Sequence, residues 1–130
     1  MVPAFTLEGR AIHDIPSFYA EVNRLFMAGE DWKLGQSLDA LDDLLYGGYG
    51  ALQGHARVRL VWRDMEQSRA ALGKEATRAL YLEKLKQPER YDVGRIKRDL
   101  AALEAGTGPT YFQTILDIIA SHPNIELVAA

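Results

Sequence analysis

Apolar residues along the chain follow two patterns, a repeat every three to four residues in some stretches and short β-branched or aromatic runs in others. The first pattern predicts amphipathic helices and the second predicts strands. The predicted elements are, in chain order, a strand at 5–7, a helix between 14 and 29, a helix at 38–46, a strand at 58–62, a helix opening at 64, helices at 75–86 and 93–103, a helix at 111–121 and a strand at 124–128. Ala11 and Ile12 form either a return strand or a bend. Because helices separate the strands, we expect an α/β fold with a small sheet of parallel strands under the helices.

Capping residues mark where three of these helices begin. Asp14 is placed to cap the first helix, with Pro16 in its first turn, and Ser37 is placed to cap the second. Asp64 followed by Gln67 three residues later is a capping pattern at the start of the helix after the 58–62 strand. That strand is strongly apolar, so we expect it to be central in the sheet.

The composition is typical of one ordinary globular domain. The chain has 130 residues, of which 48% are hydrophobic and 25% charged, enough for a single core. Its lack of cysteine excludes disulfides, a thiolate nucleophile and cysteine-bound zinc. No apolar stretch approaches the roughly 20 residues of a membrane helix, and the first residues do not resemble a secretory signal. We therefore expect a soluble, cytoplasmic protein that does not bind membranes.

No enzyme motif can be assigned. His13, His55 and His122 stand in unrelated contexts, without the spacing of a catalytic triad or a metal site, and are interpreted as surface or turn histidines. The glycine-rich run at 47–50 follows a helix and lacks the Gly-Lys-Ser/Thr of a phosphate-binding loop. The sequence therefore predicts no catalytic residue, no metal and no cofactor, and an enzyme is the least expected class.

Charge is distributed unevenly along the chain. Residues 28–50 contain five acids and one lysine, a net charge of −4, whereas residues 69–98 contain nine basic and four acidic residues, a net charge of +5. The molecule is expected to be electrically two-sided if these segments lie apart. The overall charge of −3 argues against nonspecific nucleic-acid binding, and the basic segment, which has few aromatics, is interpreted as a solvated helical surface.

The second helix carries three acids opposite its leucines. At 100° per residue, Asp39, Asp42 and Asp43 fall on one side together with Tyr46, and no lysine or arginine occurs between Leu34 and Ala56. The helix dipole favours an acid near the N-terminus by about 0.3 to 1 kcal/mol, which accounts for Asp39 alone. From the residues themselves, ordinary surface variation and a cationic partner both remain possible explanations for the other two.

Two ordered blocks of the sequence resemble a known family. GQSLDALDD at 35–43 resembles the signature of the barstar family of ribonuclease inhibitors, with Leu34 and Ser37 in place of its aromatic residue and asparagine. LVWRDMEQS at 60–68 is similar to the strand-to-helix junction that follows in that family. The resemblance implies a single barstar-like domain over 1–130, with a three-stranded parallel sheet. Residues of about 72–108 are predicted to be a helical insertion, since this interval is longer than in short members.

The resemblance also implies a function and a site. It implies an intracellular inhibitor or immunity protein whose second helix and preceding loop plug the active site of a ribonuclease. Asp43 is then the principal mimic of an RNA phosphate, assisted by Asp39, while Gly35 permits close approach of the loop. Asp117 on the last helix matches an acidic position that contributes a peripheral charge pair.

Departures from the family pattern concern its aromatic residues. Asp42 stands where relatives usually carry an aromatic residue, and Gly48 stands where another follows the helix-ending glycine, with Tyr49 one position later. Trp32, Tyr46 and Tyr49 are candidate replacements, since aromatic residues dominate interface energies. We expect the partner to be a ribonuclease of the extended-spectrum or guanyl-specific type, other than the best-known nuclease of the family, and the free inhibitor to be monomeric.

Two other functions remain open at this point. The chain could be a barstar-like module that binds a different basic protein through its acidic helix, with the inserted helices as a second interface. Alternatively, the basic insertion could bind RNA, which predicts salt-sensitive affinity.

Overall fold

A computed structural model describes residues 2–130. It contains three β-strands, six α-helices and two short 3-10 helices. The elements are β1 (Ala4–Glu8), a 3-10 turn (Gly9–Ala11), α1 (Ile15–Phe26), α2 (Leu38–Leu45), a 3-10 turn (Gly50–Leu52), β2 (Val58–Arg63), α3 (Met65–Ala71), α4 (Lys74–Leu85), α5 (Val93–Glu104), α6 (Tyr111–Ala120) and β3 (Ile125–Ala129). No helix among these residues is both long enough and apolar enough to cross a bilayer.

The three strands form one parallel sheet in the order β1-β2-β3. Leu60 of the central strand lies beside Phe5 on one side and Leu127 on the other. Each connection between neighbouring strands runs through helices, as parallel pairing requires. The predicted α/β fold with a three-stranded parallel sheet and a central strand at 58–62 is therefore confirmed. Ala11 ends a 3-10 turn, so the alternative of a return strand is wrong.

Trp62 of β2 lies at the centre of the core. It is fully buried, its ring stacks on Phe18 of α1 with centroids 6.0 Å apart, and it meets Phe112 of α6 edge-on at 5.4 Å. Its indole Nε1 donates a hydrogen bond to Ser68 Oγ at 2.9 Å. One large aromatic residue thus joins the central strand to helices from distant parts of the chain, because parallel strands buried under helices present apolar side chains to them.

The corner between β2 and α3 differs from the prediction. Asp64 has a left-handed backbone, with φ of +51° and ψ of 45°, and its side chain makes no capping hydrogen bond, so the capping role predicted for it is wrong. Gly9 packs so closely on this corner that a Cβ there would collide with the carbonyl oxygens of Arg63 and Asp64. The sharp corner, rather than a side-chain cap, starts α3.

Polar contacts define the start of α1 and hold this helix against β1. Asp14 and Ser17 form a reciprocal capping box at the start of the helix, which confirms the predicted cap. Glu21 is buried in the same helix, and burial acts to raise its pKa. Hydrogen bonds from the Arg24 side chain and the Glu8 backbone N–H outweigh that effect and hold the pKa of Glu21 below its ordinary value.

The helices α4 and α5 pack on each other and are tied to the rest of the fold. Ile96 and Leu103 of α5 are buried, and Arg78 of α4 bonds to Glu104 at the end of α5. Thr77 Oγ1 on α4 accepts a hydrogen bond from the Tyr111 backbone N–H at 2.8 Å, at the first residue of α6. Both helices lie within one residue of their predicted bounds.

Candidate functional site

The short helix α2 is sharply divided into a buried side and an exposed side. Ser37 caps it, accepting a hydrogen bond from the Ala40 backbone N–H at 3.2 Å. The buried side consists of leucines in the main core: Leu41, Leu44 and Leu45. Because eight residues form little more than two turns, this burial rather than helix propensity holds the helix in place. The cap and the amphipathic pattern predicted for it are confirmed.

Asp39 and Asp43 form the exposed acidic face of α2. Neither carboxylate forms a salt bridge with another residue in the part of the chain described, 2–130. They are four positions apart on one helix, where two like charges repel by roughly a few tenths of a kcal/mol. Asp43 also lies in the last turn, where the helix dipole disfavours an acid. The acidic face therefore carries a local energetic cost.

Asp42 is held by a histidine that the sequence analysis set aside. Its Oδ1 lies 2.7 Å from Nε2 of His122, a residue that follows α6 and whose side chain is only 3% exposed. His122 is therefore not a surface histidine, although it lies in the turn between α6 and β3, the other position predicted for it, whereas His13 and His55 are exposed as predicted. Asp42 and His122 are 80 positions apart, and no local signal in one sequence links them.

Aromatic side chains flank the acidic face in two places. Tyr46 is 71% exposed and meets the His122 ring edge-on, with centroids 4.6 Å apart and planes at 79°. Trp32 packs on Tyr49 with centroids 5.0 Å apart. Burial raises the pKa of Tyr49, and the nearby negative charge of Asp43 raises it further. The three candidate aromatic residues thus lie around α2 rather than elsewhere on the molecule.

The loop before α2 is held at two points. The Asn23 side-chain amide accepts from the Leu34 backbone N–H at 2.8 Å and donates to the Leu34 carbonyl at 3.3 Å. Glu30 Oε1 accepts from the Gly50 backbone N–H at 3.2 Å. Gly35 is exposed, and a Cβ there would meet no atom within 4 Å, so no neighbour within this chain requires a glycine. Its predicted role in close approach to a partner remains a prediction.

The acidic and basic segments of the chain meet at one groove. It has a volume of about 470 Å³ and lies between the start of α2 and helix α4, where Asp39 and Lys84 both line it. Tyr81 and Tyr91 line it as well. The segments therefore do not lie fully apart, and the expected two-sided charge is interrupted here.

Asp117 is exposed on α6, which packs against α2.

Metal-binding capacity and similarity to known proteins both bear on the function of this site. Among residues 2–130, no group of three or more acidic or histidine side chains could hold a metal ion. Comparison with curated proteins yields no match. The family model described as barstar (barnase inhibitor) matches residues 2–91, which include all of α2 and the 60–68 block. The match ends inside the predicted 72–108 insertion, whose bounds remain a prediction. Because the match covers more than half of the sequence, this chain belongs to the barstar family.

Proposed function

We propose that this chain is an intracellular inhibitor or immunity protein that occludes the active site of a ribonuclease with the acidic face of α2. The observation that carries the proposal is the pair of exposed carboxylates of Asp39 and Asp43, fixed on one helix without a cationic partner among the described residues, in a member of the barstar family. The proposed mechanism is binding and steric occlusion, without catalysis by the inhibitor.

The chemistry of ribonuclease sites supports this proposal. Such a site binds a polyanion and stabilises developing negative charge, so it presents arginine, lysine and histidine side chains. Carboxylates form strong, short hydrogen bonds with those groups, and bidentate pairing with arginine fixes orientation. In this proposal Asp43 takes the place of an RNA phosphate, Asp39 supports it, and Asp117 forms a charge pair at the periphery.

The attachment of α2 supports tight binding. Its leucines are part of the main core, and the preceding loop is bonded through Leu34 and Glu30. A rigid surface loses little conformational freedom on association, which lowers the cost of binding. Trp32 and Tyr49, packed together beside Asp43, offer aromatic contact area next to the charges.

The proposed partner is an extended-spectrum or guanyl-specific ribonuclease. The family description names barnase as the inhibited enzyme. Asp42 and Gly48, in positions where relatives carry aromatic residues, favour a nuclease whose rim differs from that of barnase.

RNA cleavage by barnase and by a panel of purified basic microbial ribonucleases tests the function. We expect one nuclease to be silenced at a one-to-one ratio. Asp43→Asn should raise the Kd for it by roughly 30-fold or more, the effect of a binding hot spot. Glu89→Gln removes another exposed acid, from the α4–α5 connection, and should change the Kd less than about twofold. If every nuclease stays fully active, a module that binds another basic protein is favoured. If Asp43→Asn inhibits as well as the wild type does, the proposed site is rejected.

A further inference from the structure

Two side chains between α6 and β3 hold the C-terminal half of α2. His122 contacts Asp42 through Nε2, and Asn124 Nδ2 donates to the Leu45 carbonyl at 3.1 Å. That carbonyl is one of those left without a partner at the end of a helix. The α6–β3 connection therefore holds α2 at one side chain, Asp42, and at the carbonyl of its last residue.

The position of the imidazole and the direction of its hydrogen bond follow from its surroundings. The His122 backbone N–H donates to the Ile119 carbonyl at 3.1 Å, and its carbonyl accepts from the Ile125 N–H at 3.0 Å, which sets where the side chain leaves the chain. An ionised carboxylate only accepts hydrogen bonds, so Nε2 carries the proton and donates to Asp42. The ring itself is buried, whereas the Asp42 side chain is 39% exposed, so the imidazole reaches Asp42 from the inner side of the fold.

The same ring supports Tyr46. Asp42 and Tyr46 are four positions apart, one turn along the helix, and the imidazole that bonds the first meets the ring of the second at 4.6 Å. Tyr46 nevertheless stays 71% exposed, on the side of the molecule that carries Asp43. An exposed aromatic ring held in one orientation beside charged groups has the properties of an interface hot spot.

We propose that His122 is a positioning residue of the nuclease-binding surface. It holds one carboxylate oxygen of Asp42 by a hydrogen bond and presents the Tyr46 ring as the aromatic contact. The cluster of Asp42, His122 and Tyr46 thereby supplies the aromatic contact that relatives provide at the position of Asp42. This proposal rests on the proposed function, since it assigns a role within the same surface.

A double-mutant cycle in the full chain tests the role. The Kd for each nuclease that the wild type inhibits, with barnase included, is measured for Tyr46→Ala, His122→Ala and the double variant. We expect Tyr46→Ala alone to raise the Kd roughly 30-fold, but to add less than about threefold when His122 is already alanine. Additive losses would overturn the proposal, because they would mean that His122 acts independently of the tyrosine.

A conservative variant separates positioning from stability. The amide nitrogen of His122→Gln can reach the place of Nε2 and donate to Asp42. This variant should therefore bind the nuclease at least tenfold more tightly than His122→Ala does. Thermal stability is measured in parallel for both. Equal affinities of the two variants would contradict a positioning role, whatever their stabilities.

Nuclear magnetic resonance of the free chain distinguishes failure of this proposal from failure of the proposed function. Ring-current shifts and contacts between Tyr46 and His122 should be present in the wild type, persist in Glu89→Gln and weaken strongly in Asp42→Ala, which removes the acceptor of the histidine hydrogen bond. If no nuclease is inhibited but these signals behave as expected, the proposed function fails while the positioning of Tyr46 stands. A freely rotating Tyr46 in the wild type would overturn the positioning itself.

Discussion

Helix α2 and the α4–α5 pair treat their charges in opposite ways. On α4, Arg78 pairs with Glu75 at 2.7 Å and also with Glu104 of α5, so its charge is compensated within the fold. On α2, Asp39 and Asp43 have no such partner in the part of the chain that the structure describes. Charges that are paired within a fold contribute to its structure. Charges that stay unpaired, although they destabilise their own helix, remain available to a partner.

The two regions also differ in how they join the core. The leucines of α2 belong to the main hydrophobic cluster around the sheet. The buried residues of α5, Ile96 and Leu103, do not belong to that cluster. Helix α5 packs on α4, and Thr77 connects α4 to the start of α6. A surface on α2 is therefore held more directly by the core than a surface on α5.

Reversing one charge in each region should give the largest contrast. Asp43→Lys places a cation against the proposed cationic nuclease site, and repulsion of several kcal/mol should raise the Kd by more than about 100-fold. Arg98→Glu reverses an exposed charge on α5 and should change the Kd less than about threefold. Inhibition titrations measure both. A comparable loss from Arg98→Glu would place the α4–α5 pair inside the interface.

Asp39 should matter less than Asp43. It shares a groove with Lys84, whose positive charge reduces the field that Asp39 presents to a partner. We expect Asp39→Ala to raise the Kd about tenfold. Lys84→Gln provides the matched test, because it should speed association at low salt, and the gain should vanish at high salt. Faster association that persists in 1 M salt would contradict this electrostatic account.

Removing Asp43, the acid proposed to dominate binding, should stabilise the free protein. Asp43→Asn relieves repulsion with Asp39 and an unfavourable dipole interaction, so the free energy of unfolding should rise by about 0.2 to 0.5 kcal/mol. Urea denaturation at low salt measures this rise, which salt should abolish. Glu89→Gln should show no comparable gain. A destabilised Asp43→Asn would mean that the acidic face is satisfied within the fold.

Acid should loosen the contact between α4 and α5. The hydrogen bond from Arg78 holds the pKa of Glu104 below its ordinary value of 4.5. A carboxyl group with a lowered pKa in the folded state contributes stability that is present above about pH 4.5 and lost as the pH falls through the folded value. Hydrogen-exchange protection of α5 amides should fall in that range. The Glu104→Gln variant should show no such pH dependence, and an unchanged dependence would assign the effect to another group.

Local patterns predicted most of the elements, and long-range contacts explain the failures. Helix α2 was predictable because Ser37, four leucines and Gly47 are all within ten positions. The cap assigned to Asp64 failed because Gly9, from a distant turn, packs on that corner and the chain bends there with a left-handed residue. The same limit hid the contact of Asp42 with His122. Local sequence thus predicted which residues lie on the exposed side of α2, but not which of them are bonded to a distant residue of the chain.

The bond between Asp42 and His122 also sets an order of events during synthesis. The two residues are 80 positions apart, so at about 5 to 20 residues per second the ribosome delivers His122 roughly 4 to 16 s after α2. Until then α2 lacks its hydrogen bonds with His122 and Asn124, and the sheet lacks β3. A nascent chain therefore carries the acidic residues without the finished surface. Under the proposed function, protection against a nuclease made in the same cell would begin only after this segment has left the ribosome.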